Sequence, residues 1–86
     1  MKYSDKPLLN VSIRTREKLI YQGQCYTVSS KNVDGVFDLL PYHANFITLI
    51  FEYVLLDSGL PSEQKFKIEK GVLYNMSNIV SIYDGI

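Results

Sequence analysis

Apolar and polar residues alternate along most of this chain, and a period of two is the signature of half-buried β-strands. Leu9, Val11 and Ile13 alternate with Asn10, Ser12 and Arg14, and a charged turn, Arg14 to Lys18, follows. Leu19 to Ser30 reads as one long strand with Ile20, Tyr26 and Val28 on apolar positions, and Gly23 in its middle predicts a bulge or a bend. Lys31 to Gly35 (KNVDG) has turn chemistry, since Asn and Asp-Gly supply positive-φ positions. Val36 to Leu40 is a short strand ended by Pro41, because proline cannot donate to a sheet ladder. Phe46 to Leu56 is a second long strand, rich in β-branched and aromatic residues. Asp57 to Pro61 is a loop. Gln64 to Glu69 alternates Phe66 and Ile68 with lysines, and Lys70-Gly71 predicts a tight hairpin turn. Val72 to Asn75, a turn at Met76 to Asn78, and Ile79 to Tyr83 complete a last hairpin.

No segment repeats apolar residues at helical spacing over three turns. Short strands separated by turn signals at intervals of roughly 8–12 residues predict an all-β sandwich or barrel. The chain has 86 residues, with no internal repeat or composition break, so residues 1–86 are expected to form a single domain. A domain of this size buries roughly 60–65% of the surface its unfolded chain exposes and has little stability to spare.

Charge narrows the function. Nine basic and nine acidic residues cancel. Nucleic-acid binding needs a dense cationic surface, and electrostatic anchoring to a membrane needs a basic cluster; this balance argues against both. The longest apolar run, Phe46 to Leu56, is broken by Thr48 and Glu52 and falls far short of the roughly 20 residues of a spanning helix, so no direct membrane insertion is expected. Met1 to Pro7 is polar and does not resemble a signal peptide, which makes a cytoplasmic location the expectation. Cys25 is the sole cysteine and reads as a small buried hydrophobe.

Candidate chemistry is sparse. There is no nucleophile elbow, zinc-protease helix motif or Gly-rich phosphate loop, and one histidine with one cysteine cannot build a zinc site without carboxylates or a second chain. No catalytic residue, cofactor or metal is expected. His43, the single histidine, stands between Tyr42 and Ala44 at a chain reversal, with Asp34 and Asp38 near in sequence. An acid–base group there competes with a histidine that bonds backbone to fix the turn, and the second reading carries more weight. Seven tyrosines fit either strand rims or a binding face.

The order of motifs resembles the N-terminal β-sandwich domain of the epsilon subunit of F-type ATP synthases, called delta in mitochondria. Tyr21 to Val28 (YQGQCYTV) is similar to the family's F-x-G-x-V-x-x-V strand, with Gly23 in the glycine slot. Gly35 to Ile50 (GVFDLLPYHANFITLI) is similar to G-x-F-G-I-L-P-x-H-A-P-L-L-T-x-L, and Lys70 to Tyr83 to the closing hairpin, with Asn78 in its Asn slot. The likeness covers Leu8 to Tyr83. The chain departs from the pattern at Val36 (an acid in many members), Asp38 (glycine), Asn45 (proline) and Lys70 (glycine).

The resemblance implies a small two-sheet β-sandwich or flattened barrel of the ATP synthase delta/epsilon N-terminal type. It implies a non-catalytic rotor subunit of the central stalk, which couples c-ring rotation to the catalytic head through contacts with gamma and the c-ring. The complex would hold it peripherally on the inner face of the membrane. The family's LPxHA loop faces the ring, which would place Val36, Tyr42 and His43 at that contact; the tyrosines are candidates for the gamma face. Bacterial members continue into a C-terminal helical hairpin that brakes hydrolysis, and that function is not carried over to a chain ending at Ile86. An epsilon-like sandwich working as a stand-alone binding or adaptor module is the alternative. An acid–base enzyme using His43 with Asp34 or Asp38 is a third.

Overall fold

The computed structural model describes residues 7–86. Their elements are β1 (Leu9–Arg14), β2 (Leu19–Cys25), β3 (Val28–Asn32), β4 (Gly35–Leu39), β5 (Phe46–Leu56), β6 (Gln64–Met76) and β7 (Ile79–Asp84), with no helix among the described residues. They join in one ladder ordered β2-β1-β7-β6-β5-β3-β4. All neighbours are antiparallel except β1 and β7, which run parallel.

The ladder becomes two layers because its two central strands bend together. Along β5 and β6 the register passes from Phe51↔Lys70 to Tyr53↔Lys67, leaving Glu52 opposite two residues. Glu52 takes φ 75°, a left-handed conformation that turns its side chain outward. A bulge of this kind bends its strand and strengthens the local twist. Beyond the bend β6 pairs with β7 only through Gly71–Met76, while β3 pairs mainly with the far half of β5, Val54–Leu56. One layer therefore holds β2, β1, β7 and the adjoining halves of β6 and β5. The other holds the remaining halves with β3 and β4.

The inward sides of the two layers share one core. It runs from Leu9, Val11 and Ile13 through Val80, Ile82 and Leu73 to Ile50, Val54, Leu56, Val28 and Leu39, all essentially inaccessible to solvent. Aromatic pairs close it at both margins. Tyr21 of β2 meets Phe66 of β6 with ring centroids 5.3 Å apart, and Phe37 of β4 meets Phe46 of β5 edge-on at 6.1 Å. Both pairs join strands that are not neighbours in the ladder, as facing layers require. The all-β sandwich predicted from the alternation is the fold observed.

Three local expectations are corrected. Leu19 to Ser30 is two strands, interrupted at Tyr26-Thr27, where the backbone turns toward the carboxylate of Asp57. Lys70-Gly71 is no turn: β6 runs continuously from Gln64 to Met76 because β5 accompanies it on both sides of the bend. Gly71 is needed for close approach, since a Cβ there would lie 2.5 Å from the carbonyl oxygen of Tyr83. Gly23 marks no bulge either. It pairs regularly with Val11, and a Cβ on it would lie 2.5 Å from the Tyr21 hydroxyl. The irregularity in that pair falls instead between Ile13 and Arg14, opposite the unpaired Ile20.

Candidate functional site

Two surfaces stand out: a loop at one end of the sandwich and an apolar outer face that runs up to it. The loop, Leu40 to Asn45, connects β4 to β5 across the layers. Pro41 has no N–H to extend β4, and Tyr42 adopts φ 66°. That is the left-handed region, uncommon for a bulky residue. The chain reverses there, with the N–H of His43 donating to the carbonyl of Leu40 at 3.2 Å.

Asparagines anchor this reversal to the β6–β7 turn. The N–H of Tyr42 donates to Oδ1 of Asn78 at 2.7 Å, and the N–H of Ser77 donates to Oδ1 of Asn45 at 2.9 Å. The buried amide of Asn75 donates to the carbonyls of His43 and Ala44 at 3.4 and 3.3 Å. Ser77 and Asn78 themselves have φ 49° and 65°. Two successive left-handed residues joining paired Met76 and Ile79 form a tight hairpin turn of the kind whose twist suits a sheet.

His43 behaves as its position suggests. Nδ1 lies 2.8 Å from the carbonyl oxygen of Ala44, so it donates there, and the ring packs on Phe46 at 5.0 Å. No hydrogen bond joins it to Asp34 or Asp38 among the described residues. Asp38 accepts from Ser29 Oγ at 2.5 Å, and Asp34 lies in the β3–β4 turn, its N–H donating to Oδ1 of Asn32 at 2.9 Å. The imagined acid–base set is therefore not assembled.

Tyr42 and His43 are brought together and both are exposed, Tyr42 by 79%. Val36 stands apart. It is 70% exposed at the β3–β4 hairpin end of β4, four strand positions before Leu40, or roughly 13 Å along the strand. It shares the outward side of β4 with Asp38 and Leu40.

The apolar face is built by strand parity. Outward positions of β5, β6 and β7 align in rows: Ile47, Tyr74 and Ser81; Leu49, Val72 and Tyr83; Met76 and Ile79. None is charged. Ile47, Leu49, Tyr74, Met76, Ile79 and Tyr83 are all solvent-exposed. Shallow grooves follow the rows, one lined by Ile47, Val72, Tyr74, Ser81 and Tyr83, the other reaching Asn45 at the loop. Beside β7, the outward Asn10 and Ser12 of β1 are polar, with Gln24 donating to Asn10 at 3.1 Å. Around the bend the outside is charged: Lys31 pairs with Glu52 at 2.6 Å, and Lys65 lies over the Tyr53 ring at 5.2 Å. An apolar patch rimmed by polar groups has the composition of a protein-contact surface.

The groups that could do chemistry are placed for structure. Burial, with the Asp57 charge adding to it, pushes the Cys25 thiol up to about 12, so it stays a protonated, inert hydrophobe. No cluster of three or more His, Cys, Asp or Glu that could hold a metal occurs among the described residues. No helix among them is long and apolar enough to cross a membrane. Sequence reading missed Asp57 and Asn75. The one legible signal was Asn75 on the inward phase of its strand, two positions after Leu73.

Neither a protein-family model nor a curated protein matches this chain. Solved structures do. A chain in the mitochondrial ATP synthase of Euglena gracilis, a structure of OSCP, F1 and c-ring, superposes with a TM-score of 0.79 at 12% identity, over 98% of this chain and 55% of that one. A chain from the central stalk and c-ring of the Tetrahymena thermophila mitochondrial ATP synthase gives 0.68 at 13% identity, over 94% of this chain and 66% of that one. Likeness at such low identity establishes the fold, a sandwich of the type these rotary complexes contain. This chain spans about half to two thirds of the length of those chains.

Proposed function

We propose that this protein is a rotor subunit of an F-type ATP synthase, a non-catalytic part of the central stalk held at the membrane through the complex. The observation that carries the reading is the coincidence of two independent signals. The sandwich superposes over nearly its whole length on part of a chain in an ATP synthase OSCP, F1 and c-ring structure and of a chain in a central stalk and c-ring structure. The loop motif LPYHA, in the order the epsilon family uses it, lies exposed at one end of that sandwich.

The proposed mechanism is mechanical. The loop end, with Tyr42 and His43, docks on the polar loops of the c-ring, and Val36 extends that contact along β4. The apolar face of β5, β6 and β7 docks on gamma. Two layers closed over one core suit torque transmission, because a part that yields by local opening cannot pass on a rotation.

Co-purification tests this. Tagged protein recovered from native membranes in mild detergent is expected to bring down gamma and c subunits in fixed ratio. Recovery without either would sink the proposal.

A further inference from the structure

The two edges of the ladder, β2 and β4, are built differently. β4 is five residues long, carries Asp38 and runs into Pro41. A short strand, a charge and a nearby proline all discourage pairing with another chain. β2 has none of these. Its seven residues, LIYQGQC, include no charge and no proline. From Leu9↔Cys25 to Ile13↔Tyr21 it pairs regularly with β1, and the unpaired Ile20 lies outside that stretch. No strand lies on its far side among the described residues. Such an edge presents a row of open backbone donors and acceptors.

We propose that β2 pairs antiparallel with β2 of a second copy of this chain, about a two-fold axis at Gly23. Residues that face each other across an antiparallel pair share one side of the sheet. Gly23 is the centre of the regular stretch Tyr21 to Cys25. Centring there sets Gln22 of each copy against Gln24 of the other on the outward side, where both are exposed. An amide is donor and acceptor at once, so these pairs complement themselves. A partner of either charge would find no counter-charge on this strand, whereas a second copy meets its own uncharged amides. Gly23 itself has no side chain to hold the strands apart, and glycine within a strand suits a close backbone approach. On the inward side the hydroxyl of Tyr21 lies over Gly23 of its own chain, where a Cβ would meet it at 2.5 Å. The two-fold brings both hydroxyls side by side. The same register lays the exposed Leu19 and Ile20 of each copy alongside Tyr26-Thr27 of the other. The contact is one strand pair wide, which fits association that reverses on dilution. It uses neither surface assigned above to ring or gamma and does not rest on the rotor reading.

Sedimentation velocity of the chain at rising concentration tests this. Wild type is expected to show a monomer–dimer equilibrium by about 1 mM protein. Gln22→Lys with Gln24→Lys sets like charges across both facing pairs and should raise the dissociation constant about tenfold or more. Gln22→Lys with Gln24→Glu introduces as many charges but sets opposite signs across the axis, and should stay within about threefold of wild type. Amide exchange on the wild type decides the edge without any substitution: exchange in β2 should slow with concentration while exchange in β4 does not. A chain that stays monomeric overturns the proposal. So does equal association of the two variants, or association that leaves β2 exchange unchanged.

Discussion

Oδ1 of Asp57 accepts the backbone N–H of Tyr26 at 2.6 Å, tying the break between β2 and β3 to the end of β5. The same carboxylate takes the N–H of Thr27 at 3.3 Å and the hydroxyl of Ser62 at 2.7 Å, while the Asp57 N–H donates back to the Thr27 carbonyl at 3.0 Å. Asp57 is 4% exposed and left-handed at φ 54°. Asp57→Ala removes a carboxylate acceptor from two half-buried N–H groups and puts alanine where φ is unfavourable. The expected loss is about 2–4 kcal/mol. Asp57→Asn, which tolerates the conformation and keeps one acceptor, should lose less. Urea unfolding of the three proteins checks the order.

Gly71 tests the bend. A Cβ there would meet the Tyr83 carbonyl oxygen at 2.5 Å and its carbon at 3.3 Å, both backbone atoms that cannot move aside alone. Gly71→Ala should destabilise by about 1–3 kcal/mol, as overpacking does. At Gly59 a Cβ would meet nothing, yet φ is +80°, so any cost of Gly59→Ala comes from conformation. Thermal unfolding of Gly71→Ala and Gly59→Ala against wild type at matched pH measures the two costs.

Cys25 gives a pH dependence with a definite sign. Burial chiefly, and the Asp57 charge second, raise its thiol from about 9 to about 12 in the folded protein. The folded state therefore holds this proton where the unfolded chain releases it. The stabilisation is complete below pH 9 and is lost as pH rises from 9 toward 12. A thiol reagent at pH 8 should leave native protein unmodified and label it fully in denaturant. Rapid native labelling would contradict the burial.

On the apolar face, charge should separate binding from folding. Ile47 and Tyr74 are cross-strand partners, 62% and 39% exposed. Ile47→Glu with Tyr74→Lys places opposite charges side by side, so the fold should change by under about 1 kcal/mol. Capture of gamma should fall by about tenfold or more, since charges would be desolvated on docking. Unchanged capture would overturn the proposed docking of this face on gamma.

Much of the fold is carried by local sequence. Leu9, Val11 and Ile13, or Phe66 and Ile68, declare their strands because parity alone decides which side chains reach the core. The final turn at Met76–Asn78 was readable for the same reason: two left-handed positions call for small polar residues. Pro41 likewise announced the end of β4. These are properties of a residue and its near neighbours, so a single sequence contains them.

The rest depends on residues far apart in the chain. Lys70-Gly71 looks like a turn, yet it stays in strand because β5 runs beside it and Tyr83 presses on the glycine. Leu19 to Ser30 looks continuous, yet it breaks where Asp57, 31 residues beyond Tyr26, offers its carboxylate. His43 could have met an aspartate and instead meets the Ala44 carbonyl and the Phe46 ring. The grip of Asn78 on Tyr42 spans 36 residues, and no local pattern encodes it. Alternation and turn chemistry are enough to specify an all-β sandwich with a histidine in a connecting loop. Partner choice for these polar groups was decided by folding, because a buried donor or acceptor takes its partner from whatever the two layers bring within reach.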